Sequence, residues 1–238
     1  MMRIAAVQCA AIPDDVARVC ASVRARVAWA DATGIDLLLF PEAWLTGHAW
    51  EPETITRRAD AAAAAIDALC RAVAGARATL VIGAFVREAG RVFNRALVIA
   101  GGGVVGHYDK AHPNEPGVTA GKAFPTFAAG RGRFGINICA DANHPDAAQR
   151  IAEQRAAAIL YPLSNMLPVA TAARWRARSV DNLVARARQT GCWVAAADVT
   201  GTAGDLISFG CTAIVAPDGK LVARVSEGEE GVAHCAIG

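Results

Sequence analysis

The sequence predicts an α/β fold of four layers, αββα, in which two mixed sheets pack face to face and helices cover their outer sides. Two observations carry this expectation. Strand-like segments such as DLLLF (Asp36 to Phe40) and AILY (Ala158 to Tyr161) are apolar almost without interruption, as expected where both faces of a sheet are covered. The chain also repeats itself: DLLLFPEAW resembles AILYPLSN. Each is followed by a long helical stretch, a strand (TLVIGAF; CWVAAAD) and a hairpin with a glycine turn (ALVIAGGGVVGHYDK; TAIVAPDGKLVARV). Two like halves, each strand–helix–strand–hairpin, suggest two packed sheets. No linker or compositional break divides them, so residues 1–238 read as a single domain.

The elements follow in order. Arg3 to Gln8 reads as a buried strand. Pro13-Asp14-Asp15 opens a helix with Val16, Val19, Cys20, Val23 and Val27 on one face, and Gly34 ends it. Asp36 to Phe40 is a second strand, stopped by Pro41-Glu42. A helix over Glu53 to Val73 turns Ile55, Ile66, Leu69 and Val73 inward. Thr79 to Phe85 is a strand, and Val92 to Ala100 with Val104 to Tyr108 form a hairpin around Gly101-Gly102-Gly103. That glycine triplet is a turn and not a phosphate loop, since no GxGxxG and helix follow. After a loop from Lys110 to Gly117, the strand Phe134 to Ile138 runs to Cys139, and a helix covers the region of Ala147 to Gln154. Ala158 to Tyr161 is a strand that stops at Pro162, and an amphipathic helix spans Thr171 to Thr190. Cys192 to Ala197 is a strand, Cys211 to Val215 and Leu221 to Val225 pair around Pro217-Asp218-Gly219, and Val232 to Ala236 closes the chain.

Composition narrows the function. Hydrophobic residues make up 54% and charged residues 19%, a globular balance rather than a disordered one. The net charge is +2 and no basic tract is interleaved with aromatics, so nucleic acid is not an expected partner. No apolar stretch approaches the ~20 residues that span a bilayer. The apolar run near the start is soon ended by Asp14 and Asp15, too short for a secretory signal. The seven cysteines are odd in number and contain no CxxC, which supports neither a disulfide framework nor a thiolate zinc site and fits reduced thiols in the cytoplasm.

The predicted topology brings three strand ends to one rim, at Phe40/Pro41, Tyr108 and Cys139. Just past them lie a carboxylate (Glu42), an amine (Lys110) and a thiol (Cys139). Such a rim is where α/β folds place nucleophiles, although a free cysteine there can equally be a small core thiol. A thiolate attacks carbonyl or nitrile carbon well, but the thiol is mostly protonated at neutral pH and needs a base. Glu42, set between Phe40 and Trp44, can serve if desolvation raises its pKa. Lys110 offers a fixed positive charge to a tetrahedral oxyanion, beside a backbone N–H such as that of Ala140.

The segments LLLFPEAWLTG, GHYDKAHP and GRFGINICADANHPD, in this order, resemble the three signature segments of the nitrilase superfamily of carbon–nitrogen hydrolases. The resemblance extends over nearly the whole chain, through VQCA, ILYPLSN, ARARQTGCWVAAADVTG and GCTAIVAPDGK. It implies the nitrilase-like αββα fold, a Glu–Lys–Cys triad on Glu42, Lys110 and Cys139, and no metal or organic cofactor. It also implies a small-molecule amide as substrate and a homodimer or higher homo-oligomer packed through helices, for which Thr171 to Thr190 offers a surface. Members often carry a second glutamate after the lysine; Glu115, the only acid between Lys110 and Cys139, is that candidate, orienting the substrate amide or the lysine. The expected reaction is hydrolysis of a small linear amide through a thioester, with a nitrilase, an N-carbamoyl-amine hydrolase and a non-catalytic ligand-binding relative as alternatives.

Around the triad, the residues expected to contact substrate are Trp44, His112, Ala140, Asn143, His144 and Asn165. His112 can instead brace its loop, and Asn143 can instead cap the following helix. Two departures from the family pattern bear on substrate. Ala140 stands where relatives often have an aromatic residue, and Asp141, Ala142 and Asn143 stand where carbamoyl amino acid hydrolases often place an arginine. The latter argues against an anionic carbamoyl substrate. Asp141 either favours a cationic or polar amide or is structural.

Overall fold

A computed structural model describes residues 1–238. The first half supplies β1 (Met2–Ala10), α1 (Val16–Thr33), β2 (Leu37–Leu39), α2 (Pro52–Ala72), β3 (Thr79–Glu88), β4 (Arg91–Ala100) and β5 (Gly103–Asp109). The second supplies β6 (Thr126–Ala129), β7 (Gly132–Ile136), α3 (Pro145–Ala152), β8 (Ala158–Pro162), β9 (Leu167–Pro168), α4 (Val169–Thr190), β10 (Trp193–Ala197), β11 (Val199–Ala203), β12 (Leu206–Ser208), β13 (Ala213–Val215), β14 (Leu221–Arg224) and β15 (Gly231–Ile237). One sheet contains β5-β4-β3-β2-β1 and continues through β11-β12-β9; the other is ordered β14-β13-β10-β8-β7-β6. The path β1-α1-β2-α2-β3-β4-β5 therefore matches β7-α3-β8-α4-β10-β13-β14 in both chain order and sheet order, which is the predicted half-repeat.

The alternation of side chains across each strand makes the four layers. Ile4, Ala6, Leu37, Leu39, Val81 and Val98 of the first sheet meet Phe134, Ile136, Leu160, Ala195 and Ile214 of the second in one buried cluster. On the outer face of the first sheet Ala5, Val7, Leu38, Leu80 and Ile82 pack on Val19, Val23, Val27 of α1 and Leu69 of α2. On the outer face of the second, Ile159, Tyr161, Val194 and Val215 pack on Ile151 of α3 and Leu183 of α4. Each wholly buried aliphatic side chain contributes about 1.5–3 kcal/mol relative to exposure, so both faces of each sheet are held. Local chemistry sets the boundaries of α1: the Asp15 side chain accepts the Arg18 N–H at 3.0 Å, and Gly34 closes the helix in the left-handed conformation at φ 72°.

The structure differs from the sequence reading in its small strands. β6, β9, β11 and β12 are absent from that reading because they are short or polar: TFAA, LP, VTGTA and LIS give no apolar run of useful length. The strand before the nucleophile ends at Ile136, not at Ile138. The last strand, β15, joins the first sheet by antiparallel pairing with β1 from Met2↔Ile237 to Gln8↔Gly231.

Candidate active site

The ends of β2, β5, β7 and β8 open on one rim, and residues that follow them line one cavity of about 100 Å³. Glu42, Lys110, Cys139, Ser164 and Asn165 all reach it. The turn after Pro41 is tight: Ala43 is left-handed at φ 47°, and the Glu42 N–H donates to the Leu163 carbonyl at 3.1 Å. Gly83 on β3 makes room for this turn, because a Cβ there would lie 2.2 Å from the Ala43 nitrogen and 2.9 Å from the Glu42 carbonyl carbon. Both neighbours are backbone and cannot rotate away. Gly83→Ala is therefore expected to lower unfolding free energy by at least about 2 kcal/mol, read as a shifted urea midpoint, and to displace Glu42.

Two carboxylates share one ammonium. Lys110 Nζ donates to Glu42 Oε1 at 2.7 Å and to Glu115 Oε1 at 2.8 Å, and all three side chains are buried. Asn94 Nδ2 donates to the same two oxygens at 2.8 Å each, and His48 Nε2 lies 3.1 Å from Glu115 Oε1. The Asn114 N–H donates to Glu115 Oε2 at 3.0 Å. Glu42 Oε2 has no partner at all, although it is buried.

Their environments drive the two acids apart. Burial raises the Glu42 carboxyl above the usual range, against the opposing pull of Lys110 and His48. Burial acts on Glu115 in the same sense, but the His48 hydrogen bond and the Lys110 charge outweigh it and hold Glu115 well below that range. Burial would weaken the Lys110 ammonium; Glu42, Cys139 and Glu115 together more than offset it. One carboxylate is thus held ionised and the other raised toward protonation, the kind of separation that distinguishes acid–base roles in paired sites. The Cys139 thiol is pushed well above its ordinary range by burial and by Glu42, while Lys110 and the Ser164 backbone N–H favour the thiolate. It rests as a thiol and needs a base to attack.

Cys139 opens a one-turn 3₁₀ helix, Cys139–Asn143, and is left-handed at φ 42°. A non-glycine residue in that region is strained, and such strain collects at functional sites. Asp141, fully buried, holds the turn. Its carboxylate accepts the Ile138 N–H at 2.8 Å, the Tyr108 hydroxyl at 2.8 Å and the His112 N–H at 2.8 Å, with His112 Nδ1 at 2.9 Å. Asp141 therefore ties the cysteine turn to the loop that carries Lys110. It is absent from the cavity lining, and its hydrogen bonds serve the turn.

Of the residues expected to contact substrate, Ala140, Asn143 and Asn165 line the cavity and three do not. Trp44 is in the core, stacked on Phe40 at 5.6 Å with Nε1 donating to the Ala10 carbonyl at 2.9 Å. His112 and His144 stack on each other at 3.6 Å, outside the cavity lining. Asn143 does not cap α3: His144 occupies that position, and Asn143 Oδ1 accepts from Asn182 Nδ2 at 2.8 Å. The sequence reading missed Asn94, His48, Trp50, Asn114, Ser164, Trp175, Ser179 and Asn182, the last three on α4. The i, i+4 and i, i+3 spacing of Trp175, Ser179 and Asn182 was the one available signal, since it puts them on one face of that helix.

The family model described as carbon-nitrogen hydrolase matches residues 3–237. The chain is 31% identical over 230 residues to a Pseudomonas protegens protein described as a hydrolase in the pqqF 5' region, covering 93% of this chain and 78% of that one. It is 28% identical over 222 residues to the glutamine-dependent NAD(+) synthetase of Rhodobacter capsulatus, which is much the longer protein: the match covers 89% of this chain and 39% of that one. Among solved structures, the amidase from Nesterenkonia sp. AN1, described with acrylamide added to its active-site cysteine, has the same fold with a TM-score of 0.87 at 23% identity, over 100% of this chain and 94% of that one.

Proposed function

The chain belongs to the carbon-nitrogen hydrolase family, and we propose that it is an amidase acting on small neutral amides through a Cys139 thioester. The observation that carries this reading is the buried, unpartnered Oε2 of Glu42 in the cavity that Cys139 lines. A buried acceptor without a donor costs free energy, and the Cys139 thiol carries a proton that this acceptor can take.

In the proposed sequence Glu42 takes the thiol proton as sulfur attacks the carbonyl carbon. The carbonyl π bond opens to an oxyanion beside the Lys110 ammonium and the Ala140 N–H, at the open N-terminal end of the 3₁₀ turn where the first amides have no partner within it. Collapse breaks the C–N bond, and Glu42 hands its proton to the leaving nitrogen. Water then enters: Glu42 takes one of its protons, hydroxide adds to the thioester, and the thiol leaves with the proton returned, releasing a carboxylic acid. Glu115 and Asn94 keep Lys110 and Glu42 in register throughout.

Charge in the cavity supports a neutral substrate. Lys110 is the only lysine or arginine among its lining residues and is held by Glu42 and Glu115, and His48 is engaged by Glu115. Glutamine or an N-carbamoyl amino acid would find no free cation for its carboxylate. The test is ammonia release from a panel of neutral amides, glutamine, N-carbamoyl amino acids and nitriles. Turnover confined to nitriles or carbamoyl compounds would overturn the reading; turnover of the neutral amides, with glutamine poor, is the expected result.

A further inference from the structure

We propose that Asp198 fixes the amide orientation of Asn165, so that the cavity presents a hydrogen-bond acceptor and selects amides whose acyl group carries a neutral hydrogen-bond donor. This rests on the amide-hydrolase reading above. Asp198 lies between β10 and β11, where the chain crosses from one sheet to the other, and is fully buried. Its Oδ1 accepts the backbone N–H of Asn165 at 3.0 Å and of Val199 at 2.9 Å, and its Oδ2 accepts Asn165 Nδ2 at 2.7 Å. An ionised carboxylate can only accept. The Asn165 NH₂ is therefore obliged to face Asp198, and its carbonyl Oδ1 is turned the other way. The opposite orientation would set oxygen against oxygen.

The groups around Asp198 do not disturb this. Cys9 on β1 and Cys211 before β13 are thiols raised by burial, and Glu42 acts on it only from across the site. Arg176 of α4 lines the neighbouring cleft but pairs with Glu227. Burial pushes Asp198 up to about 6, against the donors from Asn165 and Val199, so at neutral pH it is mostly ionised.

Position assigns Asn165 to the acyl end. Asn165, Trp175 and Ser179 line both the catalytic cavity and an adjoining cleft with Phe209 and Cys211, and that cleft touches none of Glu42, Lys110 or Cys139. The wall they share is thus the one away from the reacting groups. A hydroxyl or N–H on the acyl chain would meet Asn165 Oδ1 there.

The experiment has two arms. The first needs no turnover: the side-chain NH₂ resonance of Asn165, identified by its loss in Asn165→Ala, should shift with a midpoint near pH 6 in the wild type and stay flat in Asp198→Asn. The second compares kcat/KM for 2-hydroxyacetamide and 2-methoxyacetamide, which differ in the donor. The wild type should prefer the hydroxy amide by about tenfold, the scale of one neutral hydrogen bond. Asn165→Ala should bring the ratio near one, and Asp198→Asn should bring it to one or below, because the backbone N–H groups of Asn165 and Val199 hold the introduced oxygen in the place of Oδ1 and its NH₂ then faces Asn165, turning that amide round so that it shows the cavity a donor. Asn165→Ala also opens space for the methoxy methyl, whereas Asp198→Asn is isosteric and lies outside the catalytic cavity lining, so the change in ratio in Asp198→Asn reports the hydrogen bond. An Asn165 resonance left unchanged by Asp198→Asn, equal rates in the wild type, or a preference that survives Asn165→Ala would overturn the proposal. If no amide is turned over, the amidase reading fails and donor selection with it, while the resonance still decides the Asp198–Asn165 orientation.

Discussion

Cys139→Ala will reduce amide turnover by about 10⁴-fold or more, the scale seen when a nucleophile is removed from a covalent mechanism. No other cysteine can replace it, because Cys139 alone of the seven lines the cavity. The fold should survive. Alanine keeps the Cβ and hence the left-handed strain at φ 42°, and the Asp141 hydrogen bonds to Ile138, Tyr108 and His112 do not involve the sulfur. Its thermal midpoint should therefore match the wild type closely. Cys139→Gly should be inactive as well and more stable by about 1 kcal/mol, since the steric cost of a left-handed L-residue is removed. Mass spectrometry of acid-quenched wild type with a good amide should find the acyl group on Cys139 and not on Cys192 or Cys211. Undiminished turnover in Cys139→Ala would end the thioester mechanism.

Glu42→Gln will cost about 10³-fold in kcat/KM, within the range for losing a general base. Glutamine keeps an oxygen for the Lys110 and Asn94 donors, so the side chain should stay in place and the loss reports proton transfer. The pH profile separates the two carboxylates. Glu42 must be ionised to accept the thiol proton, and burial has raised it, so wild-type kcat/KM should fall as pH drops through a midpoint above the ordinary glutamate value of about 4.3. Glu115 is held below the ordinary range and stays ionised across that window. The acid limb should vanish in Glu42→Gln. A retained limb would assign it to another group, and retention of kcat/KM within tenfold would remove Glu42 as the base.

Both halves of the fold were legible because burial on two faces leaves an unbroken apolar run, and because that run recurs with the same punctuation at Phe40-Pro41 and Tyr161-Pro162. Glu42, Lys110 and Cys139 were legible for the same reason: each follows a strand whose end is visible. Glu115 could be found only as the sole acid in its loop. Asn94 could not be found, since it sits within the apolar run of β4 and is brought to the site by β3–β4–β5 pairing. Trp44 misled because left-handed Ala43 reverses the chain and sends the indole back onto Phe40. His112 and His144 misled because nearness in sequence to Lys110 and Cys139 says nothing about which way a 3₁₀ turn faces.

The two equivalent turns of the repeat touch one another, Glu42 giving its N–H to the Leu163 carbonyl. In the alignment of DLLLFPE with AILYPL, Glu42 and Leu163 occupy the same place. A duplicated scaffold thus carries its acid in one copy and a plain aliphatic wall in the other. In the proposed mechanism neither copy suffices by itself: the first holds Glu42 and Lys110, the second Cys139. On that mechanism activity belongs to the docked pair, and an excursion that parted the sheets would silence the protein while each sheet kept its own hydrogen bonds.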